Sequence, residues 1–293
     1  MPTGALTYAV VTPARNEADN LPRLAATLRA QTLPPTVWVI VDNGSTDETA
    51  DVADELRADE RWIRVLRVPG ESTATRGGPV AAAFTAGIEV IPRPVDLVVK
   101  VDADVSADGK YFEGLAREFQ ADPRLGIAGG TCLELEDGEW RVRHATGNRV
   151  RGATRAYRRE CLSDVMPLEL RPGWDGIDEL RAASKGWRSA TIPTLVFYHH
   201  RNVGLRDESR WRRLFEVGRS AHYSGYRPTY LLLRSLFKAR KELAAVALLG
   251  GYLSAAIRRE PRCNDEAAVS YLREQQSLRR LPLRAREALG RRA

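Results

Sequence analysis

The sequence predicts an α/β protein: a mostly parallel, Rossmann-like sheet flanked by helices, with a helical extension at the C-terminal end. Short apolar runs alternate with helical patterns through the first half of the chain. Strands separated by helices predict right-handed crossovers, which produce parallel neighbours. Beyond Asn202 we find only helical patterns rich in arginine and no further strand. With 43% hydrophobic side chains among 293 residues, the chain can bury a core.

The net charge of the chain indicates what kind of partner it binds, and its cysteine content indicates the compartment in which it occurs. Lys and Arg number 45 against 38 Asp and Glu, which gives a net charge of +7. This surplus favours anionic partners such as nucleotides, nucleic acid or acidic lipid headgroups. The cysteines, Cys132, Cys161 and Cys263, are odd in number and far apart. That spacing argues against a disulfide framework or a structural zinc site and indicates a reducing cytoplasm.

Neither a secretory signal nor a membrane span is predicted. Met1–Thr7 lacks the basic start and apolar stretch of a signal peptide. The longest nearly apolar run, Leu243–Ile257, is shorter than the roughly 20 residues that a spanning helix needs. The sequence therefore predicts a soluble or peripheral protein.

The first strand, helix and second strand follow in that order. Tyr8–Val11 is a β-rich run, and the helix after it has Asp19 as its expected N-cap and Pro22 in its first turn. Val37–Val41 is unbroken and largely β-branched, which is typical of a strand buried on both faces. That strand ends at Asp42, where a polar loop begins.

Two more strands complete the alternating pattern. Ser45 and Glu48 have the spacing of a capping box, which predicts that the second helix opens there. Trp62–Val68 is the third predicted strand, and the alanine-rich helix Val80–Val90 follows it. Leu97–Val101 is the fourth strand, and it ends directly in acidic residues.

The second half has a different organisation. Glu134–Glu139 is predicted to be an acidic turn, and the chain is rich in arginine from Arg141 to Arg159. A helix is predicted at Asp175–Gly186 and a strand at Thr191–Tyr198. His199 and His200 follow that strand directly.

Acidic side chains at two strand ends predict a ligand site. Asp102 and Asp104, at i and i+2 after a buried strand, offer the oxygen ligands that Mg²⁺ or Mn²⁺ prefers. Asp-x-Asp pairs also occur in ordinary solvated loops without binding a metal. The position of this pair, directly after the fourth strand, favours a metal site. Asp42 ends the second strand, where a carboxylate can accept hydrogen bonds from a base or ribose. Because ligands of open α/β sheets bind beyond the carboxyl ends of the strands, these residues are expected to converge.

In combination, these motifs resemble the family 2 glycosyltransferases of the GT-A fold, in particular bacterial members, which invert the anomeric centre. Besides Asp42 and the Asp-x-Asp pair, the motifs that carry the resemblance are Thr12–Glu17, Gly152–Arg159, and Gly173–Leu180 followed by Lys185-Gly186-Trp187. They occur in the order found in the family.

The resemblance implies how a nucleotide-sugar donor is held. Pro13, Ala14, Glu17 and Asp42 would hold the nucleoside, and Asp102 would reach the ribose or the sugar. From the sequence itself, Arg76 is a candidate contact for the diphosphate, because it stands in the loop before Gly77-Gly78.

The resemblance also implies the metal ligands and the general base. Asp104 would bind the metal, with His199 as a further contact and His200 as the alternative. Asp178 would take the proton from the acceptor hydroxyl. The acidic motif has Ile177 before Asp178 where the family has Glu, so Glu179 and Asp175 stand as neighbouring carboxylates.

One departure from the family pattern concerns the donor. Members often carry an Arg-Asn pair in the helix after the third strand, where this chain has Ala83-Phe84. The sequence therefore leaves the identity of the donor open.

The resemblance divides the chain into three regions: 1–135 for the nucleotide sugar, 136–205 for the acceptor, and 206–293 as a basic helical region. In the last region, arginines and aromatic residues precede the apolar helix Leu243–Ile257 and Arg258-Arg259. A basic segment beside an apolar helix is typical of docking on an anionic membrane. A helical cap with solvated arginines is the alternative.

Together these observations predict an inverting glycosyltransferase that uses Mg²⁺ or Mn²⁺. It would move a sugar from a nucleoside-diphosphate sugar to a hydroxyl on a polysaccharide, glycolipid or lipid-linked acceptor during cell-envelope polysaccharide synthesis. It would act in the cytoplasm, at the inner face of the plasma membrane if the last region docks there. The alternatives are a nucleotidyltransferase, or a non-enzymatic protein that binds anionic polymers; no recognised nucleic-acid module is present.

Overall fold

The computed structural model describes residues 4, 6–70, 77–136, 138–142, 149–200, 210–240 and 242–280. The chain divides into two compact units, Met1–Val203 and Gly204–Ala293. The helices and strands of the first unit are, in chain order, β1 (Tyr8–Ala14), α1 (Leu21–Arg29), β2 (Val37–Asn43), α2 (Thr49–Asp59), β3 (Ile63–Val68), α3 (Gly78–Glu89), β4 (Leu97–Val101), β5 (Val105–Ala107), α4 (Tyr111–Ala121), β6 (Leu125–Glu136), β7 (Glu139–Val142), β8 (Thr154–Arg158), α5 (Arg159–Val165), α6 (Trp174–Ser184) and β9 (Arg188–His199).

The strands form one sheet in the order β3-β2-β1-β4-β8-β6-β9-β5, and β7 pairs with β6. The first four strands are parallel neighbours, as the alternating pattern predicts. The β4–β8, β6–β8, β5–β9 and β6–β7 pairs are antiparallel, whereas β6 and β9 are parallel. The sheet is therefore parallel in the first half of the chain and mixed in the second.

The register brings the carboxyl ends of three parallel strands to one edge of the sheet. Ala14 of β1 lies opposite Asp42 of β2. On the other side of β1, Val11 lies opposite Lys100 of β4, so the Asp102 turn leaves the sheet on this edge as well. Asp42 and Asp102 are thus separated by about two strand spacings, or about 10 Å.

The core lies on both faces of this sheet because successive side chains of a strand point to opposite faces. On one face, Val10 and Trp38 belong to a buried cluster that includes the apolar stripe of α1. On the other face, Val11 and Val39 belong to a cluster that contains Phe84 of α3. The predicted β-branched strands are therefore buried on both faces. A ligand can reach these strands only at their ends, where the polar residues lie.

Two predicted helix caps are wrong. The N-cap of α1 is Asn20, since Asp19 lies inside a turn in which the Asn20 backbone N–H donates to the Glu17 carbonyl. The capping box of Ser45 and Glu48 does not form, because α2 begins at Thr49. The Ser45 hydroxyl instead accepts a hydrogen bond from the Asn16 backbone N–H, at 3.1 Å. The loops after β1 and β2 thus use their polar groups to hold each other.

Other element boundaries differ from the sequence prediction. Residues Glu134–Glu136 of the predicted acidic turn belong to β6, whose pairing with β7 makes a hairpin. β9 starts at Arg188, three residues before the predicted strand. These extensions matter because they place Glu134 beside the end of β9.

The second unit is helical within its described residues. It contains α7 (Arg210–Tyr223), α8 (Pro228–Ala239), a 3₁₀ turn (Leu243–Val246), α9 (Ala247–Ile257), α10 (Glu266–Gln275) and a second 3₁₀ turn (Leu278–Arg280). The predicted apolar helix is therefore a 3₁₀ turn followed by α9. α7 and α9 pack closely at Gly251, where an added Cβ would lie 1.9 Å from the Phe215 carbonyl oxygen. Across the described residues, each helix is too short or too polar to traverse a bilayer.

Candidate active site

Asp104 and His199 are brought together by the short strand β5. Asp104 stands just before β5, and β5 pairs antiparallel with the end of β9, with Val105 opposite His199. The His199 Nε2 atom lies 3.3 Å from the Asp104 Oδ1 atom. Asp102 joins them, and single ligand atoms from all three side chains lie within 4.8 Å of one another.

This group has the chemistry of a site for a divalent ion. Two carboxylates and one imidazole are suitable ligands for Mn²⁺, and carboxylates with water suit Mg²⁺. Burial alone would lower the pKa of His199, but its contacts with Asp104 and Glu134 outweigh burial and raise that pKa to about 9. The raised pKa reflects a concentration of negative charge, which also attracts a cation.

His199, and not its neighbour, belongs to this group. The His200 Nε2 atom lies 2.7 Å from the Ser106 hydroxyl. Burial and the nearby charge of Arg23 lower the pKa of His200. Of the two histidines that the sequence left open, the structure thus brings His199 to the carboxylates.

Lys100 is a site residue that the sequence analysis missed. It is the fourth residue of the otherwise apolar strand β4, and it is only 2% exposed. Its ammonium group pairs with the Asp102 carboxylate and donates to the Gly152 carbonyl oxygen, at 2.7 Å. A buried lysine needs such partners, so a lysine inside an apolar strand was the available signal.

An open cleft of about 470 Å³ adjoins these residues. Its lining includes Lys100, Asp102, Arg151, Gly152, Asp175 and His199. Asp175 lies in the first turn of α6, and its Oδ2 atom lies beside Gly152, 3.5 Å from the position of an added Cβ there. The cleft therefore presents a carboxylate from α6 together with Asp102 and His199.

Asp178, the predicted base, does not line this cleft. Its side chain is 1% exposed, and its Oδ1 and Oδ2 atoms accept hydrogen bonds from the guanidinium of Arg155 at 2.7 and 3.1 Å. The Tyr157 hydroxyl also donates to Oδ2. Burial raises the pKa of Asp178 to about 7, against the opposing effects of Arg155 and Tyr157. These contacts do not fit a general base, which needs an oxygen within reach of the acceptor hydroxyl.

The predicted nucleoside contacts lie on the same edge of the sheet but do not line the cleft. Ala14 and Asp42 are register partners on β1 and β2. Asp42 is buried, and its Oδ1 atom accepts the Ser45 backbone N–H at 3.0 Å. Glu17 is also buried and accepts a hydrogen bond from Asn20.

Pro13 immediately precedes Ala14 on β1 and lies opposite Val41. The predicted diphosphate contact, Arg76, lies outside the described residues.

Comparison with known proteins relates the chain to sugar-transferring enzymes. A family model described as Glycosyl transferase family 2 matches residues 9–166. The polyprenol monophosphomannose synthase of Mycolicibacterium smegmatis is 30% identical over 219 residues, covering 67% of this chain and 78% of that protein. An uncharacterized glycosyltransferase of Mycobacterium tuberculosis is 31% identical over 196 residues, covering 61% of this chain and 80% of that protein.

Solved structures with the same fold include two that contain Mn²⁺. A mannosyltransferase from Pyrobaculum calidifontis in complex with GDP-Man and Mn²⁺ matches with a TM-score of 0.60 and 16% identity, covering 98% of this chain and 85% of that one. GalNAc-T7 with UDP, GalNAc and Mn²⁺ matches with a TM-score of 0.58 and 16% identity, covering 75% and 48%. These likenesses confirm the predicted GT-A fold.

Proposed function

The chain belongs to glycosyl transferase family 2, and from this premise we propose that it is an inverting, metal-dependent enzyme. It transfers a sugar from a nucleoside-diphosphate sugar to a hydroxyl acceptor. The observation that supports this proposal most directly is the group of Asp102, Asp104 and His199 at the edge of a cleft that also contains Asp175. Membership of a glycosyltransferase family removes the case for the nucleotidyltransferase and for the non-enzymatic protein.

The donor end of the reaction depends on the carboxyl edge of the sheet. A divalent ion held by Asp102, Asp104 and His199 would stabilise the negative charge that develops on the departing diphosphate. Lys100 keeps Asp102 in place through their ion pair. Pro13, Ala14, Glu17 and Asp42 hold the nucleoside in residues 1–135, and Arg76 is a further candidate for the diphosphate.

The acceptor end depends on Asp175 in residues 136–205. Its carboxylate takes the proton from the acceptor hydroxyl as that oxygen attacks the anomeric carbon, and displacement from the opposite face inverts the centre. Asp175 replaces Asp178 in this role because Asp175 lines the cleft, whereas Asp178 is paired with Arg155. Such a base contributes about 10²- to 10⁴-fold to the rate.

A carboxylate in this place also bears on the acceptor. A hydroxyl must lose a proton as it attacks, whereas a phosphate monoester is already ionised at neutral pH and needs no base. Asp175 therefore favours a hydroxyl acceptor, such as a polysaccharide or a glycolipid, over a polyprenyl phosphate. Since the mycobacterial relative and the Pyrobaculum neighbour are both described as mannose-transferring proteins, GDP-mannose is the first donor to test.

We also propose that the second unit docks on an anionic membrane. On α8, Leu232, Leu233, Leu236 and Phe237 are exposed on one side, opposite the buried residues of that helix. The exposed Arg240 shares this side of the helix, with its guanidinium over the Phe237 ring. The combination of apolar side chains and cations complements acidic headgroups.

A second exposed stripe runs from the end of the 3₁₀ turn Leu243–Val246 along α9. Val246, Leu253 and Ile257 recur at spacings of seven and four residues, and Ile257 is 81% exposed. The exposed cations Arg258 and Arg259 follow it directly. Each cation near an anionic surface contributes about 1 kcal/mol, so both stripes favour the inner face of the plasma membrane over free solution.

Metal-dependent nucleotide binding tests the proposed function. We expect GDP or UDP with Mn²⁺ to raise the melting temperature, as ligand at about 100 times its Kd stabilises a protein by about 2.7 kcal/mol. EDTA should remove the effect, and Asp104→Ala should abolish it. Asp108→Ala, which removes an exposed acid in the same part of the chain, is the matched control.

A screen of sugar nucleotides for slow, metal-dependent hydrolysis then identifies the donor, because leakage to water needs no acceptor. Equal stabilisation of wild type and Asp104→Ala by nucleotide with Mn²⁺ would contradict the proposal.

A further inference from the structure

The imidazole of His199 stands between two carboxylates. Its Nε2 atom lies 3.3 Å from Asp104 Oδ1, and its Nδ1 atom lies 3.6 Å from Glu134 Oε1. The parallel pairing of β6 with β9 sets Glu134 directly opposite His199. One ring nitrogen therefore faces the metal-ligand group, and the other faces a residue with no assigned role.

Glu134 is itself held in place. Its side chain is 5% exposed, and Oε1 lies 2.6 Å from the Nη2 atom of Arg151. A carboxylate buried to this extent requires a charged or hydrogen-bonding partner, which the guanidinium supplies. At 3.6 Å, Glu134 Oε1 lies just beyond hydrogen-bond distance of His199 Nδ1, so a small side-chain movement would make it the acceptor for that nitrogen.

We propose that Glu134 is a positioning residue, which accepts the Nδ1–H of His199 and so directs the lone pair of Nε2 toward the divalent ion. This inference rests on the proposed function, because it assumes that His199 is a metal ligand. Neutral histidine has two tautomers, and the acceptor at one nitrogen decides which nitrogen is left to bind a metal. Carboxylates in this relation to a ligating histidine raise the affinity of the metal about 10- to 100-fold.

Glu134 also belongs to a second group that admits a different role. Ligand atoms of Cys132, Glu134 and His199 lie within 4.8 Å of one another, and in that group Glu134 would bind the ion directly. Cys132 and Glu134 lie two residues apart on β6, so their side chains point to the same face of the sheet as that of His199. Glu134 Oε1, the oxygen that lies 3.6 Å from His199 Nδ1, is also the oxygen that lies 2.6 Å from Arg151 Nη2, and this shared oxygen favours positioning.

A double-mutant cycle separates these roles. Mn²⁺ affinity is measured by electron paramagnetic resonance in the presence of GDP or UDP for wild type, Glu134→Ala, His199→Ala and the double variant. We expect Glu134→Ala to weaken Mn²⁺ binding by about 10- to 100-fold. In the His199→Ala background the same change should have no further effect. Glu136→Ala, the same substitution two residues along β6, is the matched control and should bind as wild type does.

Two readouts distinguish positioning from a merely structural role. In the diamagnetic complex with Mg²⁺ and nucleotide, the ring nitrogens of His199 in ¹⁵N NMR should indicate one tautomer, protonated at Nδ1, in wild type and a mixture in Glu134→Ala. Glu134→Gln retains an acceptor oxygen and should bind Mn²⁺ with intermediate affinity. If Glu134→Ala fails to fold, Glu134→Gln replaces it in the measurement of Mn²⁺ affinity.

The possible failures are distinct. Unchanged Mn²⁺ affinity in Glu134→Ala, or a further loss in the double variant, overturns the positioning role while the proposed function stands. If Asp104→Ala also binds Mn²⁺ as wild type does, the metal site is overturned, and both proposals with it.

Discussion

Asp175 and Asp178 lie on the same helix in different surroundings. We therefore expect substitution of Asp175 to lower the rate of transfer and substitution of Asp178 to lower the stability of the fold. Asp175 faces the cleft, so Asn at this position removes only a proton acceptor. We expect Asp175→Asn to lower kcat by about 10²- to 10⁴-fold, with the melting temperature and the affinity for nucleotide unchanged. Steady-state kinetics with the identified donor, together with a melting curve, checks this.

Asp178→Asn is expected to act on stability. The change leaves the fully buried Arg155 without its main anionic partner, although Glu179 remains 3.1 Å from it. Breaking a buried ion pair costs about 3 kcal/mol or more, which urea denaturation can measure. Full stability combined with loss of transfer would return the role of base to Asp178.

At the scale of residues, the sequence identified the groups that follow apolar runs and missed those that depend on distant partners. Asp102 and Asp104 stand out because they end a buried strand. Glu134 and Arg155 acquire their surroundings from partners on other elements, and local sequence contains no sign of those partners. The three acids of α6 have similar local sequence, so only the packing of the helix separates Asp175 from Asp178.

At the scale of elements, the three-residue strand β5 determines where His199 lies relative to Asp104. Its pairing with β9 joins the end of the parallel half of the sheet to His199. The sequence predicted the four parallel strands, because β-branched runs between helical patterns are distinctive. It did not predict β6, which contains Gly126, Gly129 and Gly130 and so lacks the continuous apolar run of a buried strand. β5 and β8 were missed as well, since three to five residues without a periodic pattern give little signal.

The loop after β2 depends on a close backbone contact with the loop after β3. Gly44 has φ +67°, and an added Cβ would lie 2.6 Å from backbone atoms of Gly70. Gly44→Ala should therefore lower the free energy of unfolding by about 1–2 kcal/mol through backbone strain and by a further 1–3 kcal/mol through the clash. Chemical denaturation measures the loss.

Gly186→Ala is the matched control for this prediction. Gly186 has φ +88°, but nothing lies within 4 Å of the position of an added Cβ. Only the strain should appear, at about 1–2 kcal/mol. Equal losses in the two variants would mean that the loops at Gly44 separate easily, contrary to the close contact.

At the scale of the whole molecule, the exposed stripes of the second unit predict binding to vesicles. We expect the full chain to bind vesicles that contain phosphatidylglycerol, less so at high salt, and to bind pure phosphatidylcholine weakly. Replacing Leu236, Leu253 and Ile257 together with Gln should reduce binding at least about tenfold, because the apolar contacts are lost. Co-sedimentation with vesicles measures both effects.

Leu170→Gln is the control for these substitutions, because Leu170 is 57% exposed and belongs to the first unit. Its binding should match that of wild type. If the triple variant binds vesicles normally but no longer forms an oligomer that wild type forms, the stripes serve self-association, and membrane docking is contradicted.

The two carboxylates of the proposed ion site and its histidine are synthesised at different times. During synthesis, Asp102 and Asp104 leave the ribosome while most of the sheet's second half is still untranslated, and His199 follows only with the final strand of the unit. An ion held by all three side chains would therefore reach its full affinity only after that strand has paired with β5. Tight metal binding would then act as a checkpoint, because only a chain whose first unit has finished folding would hold the ion at full affinity.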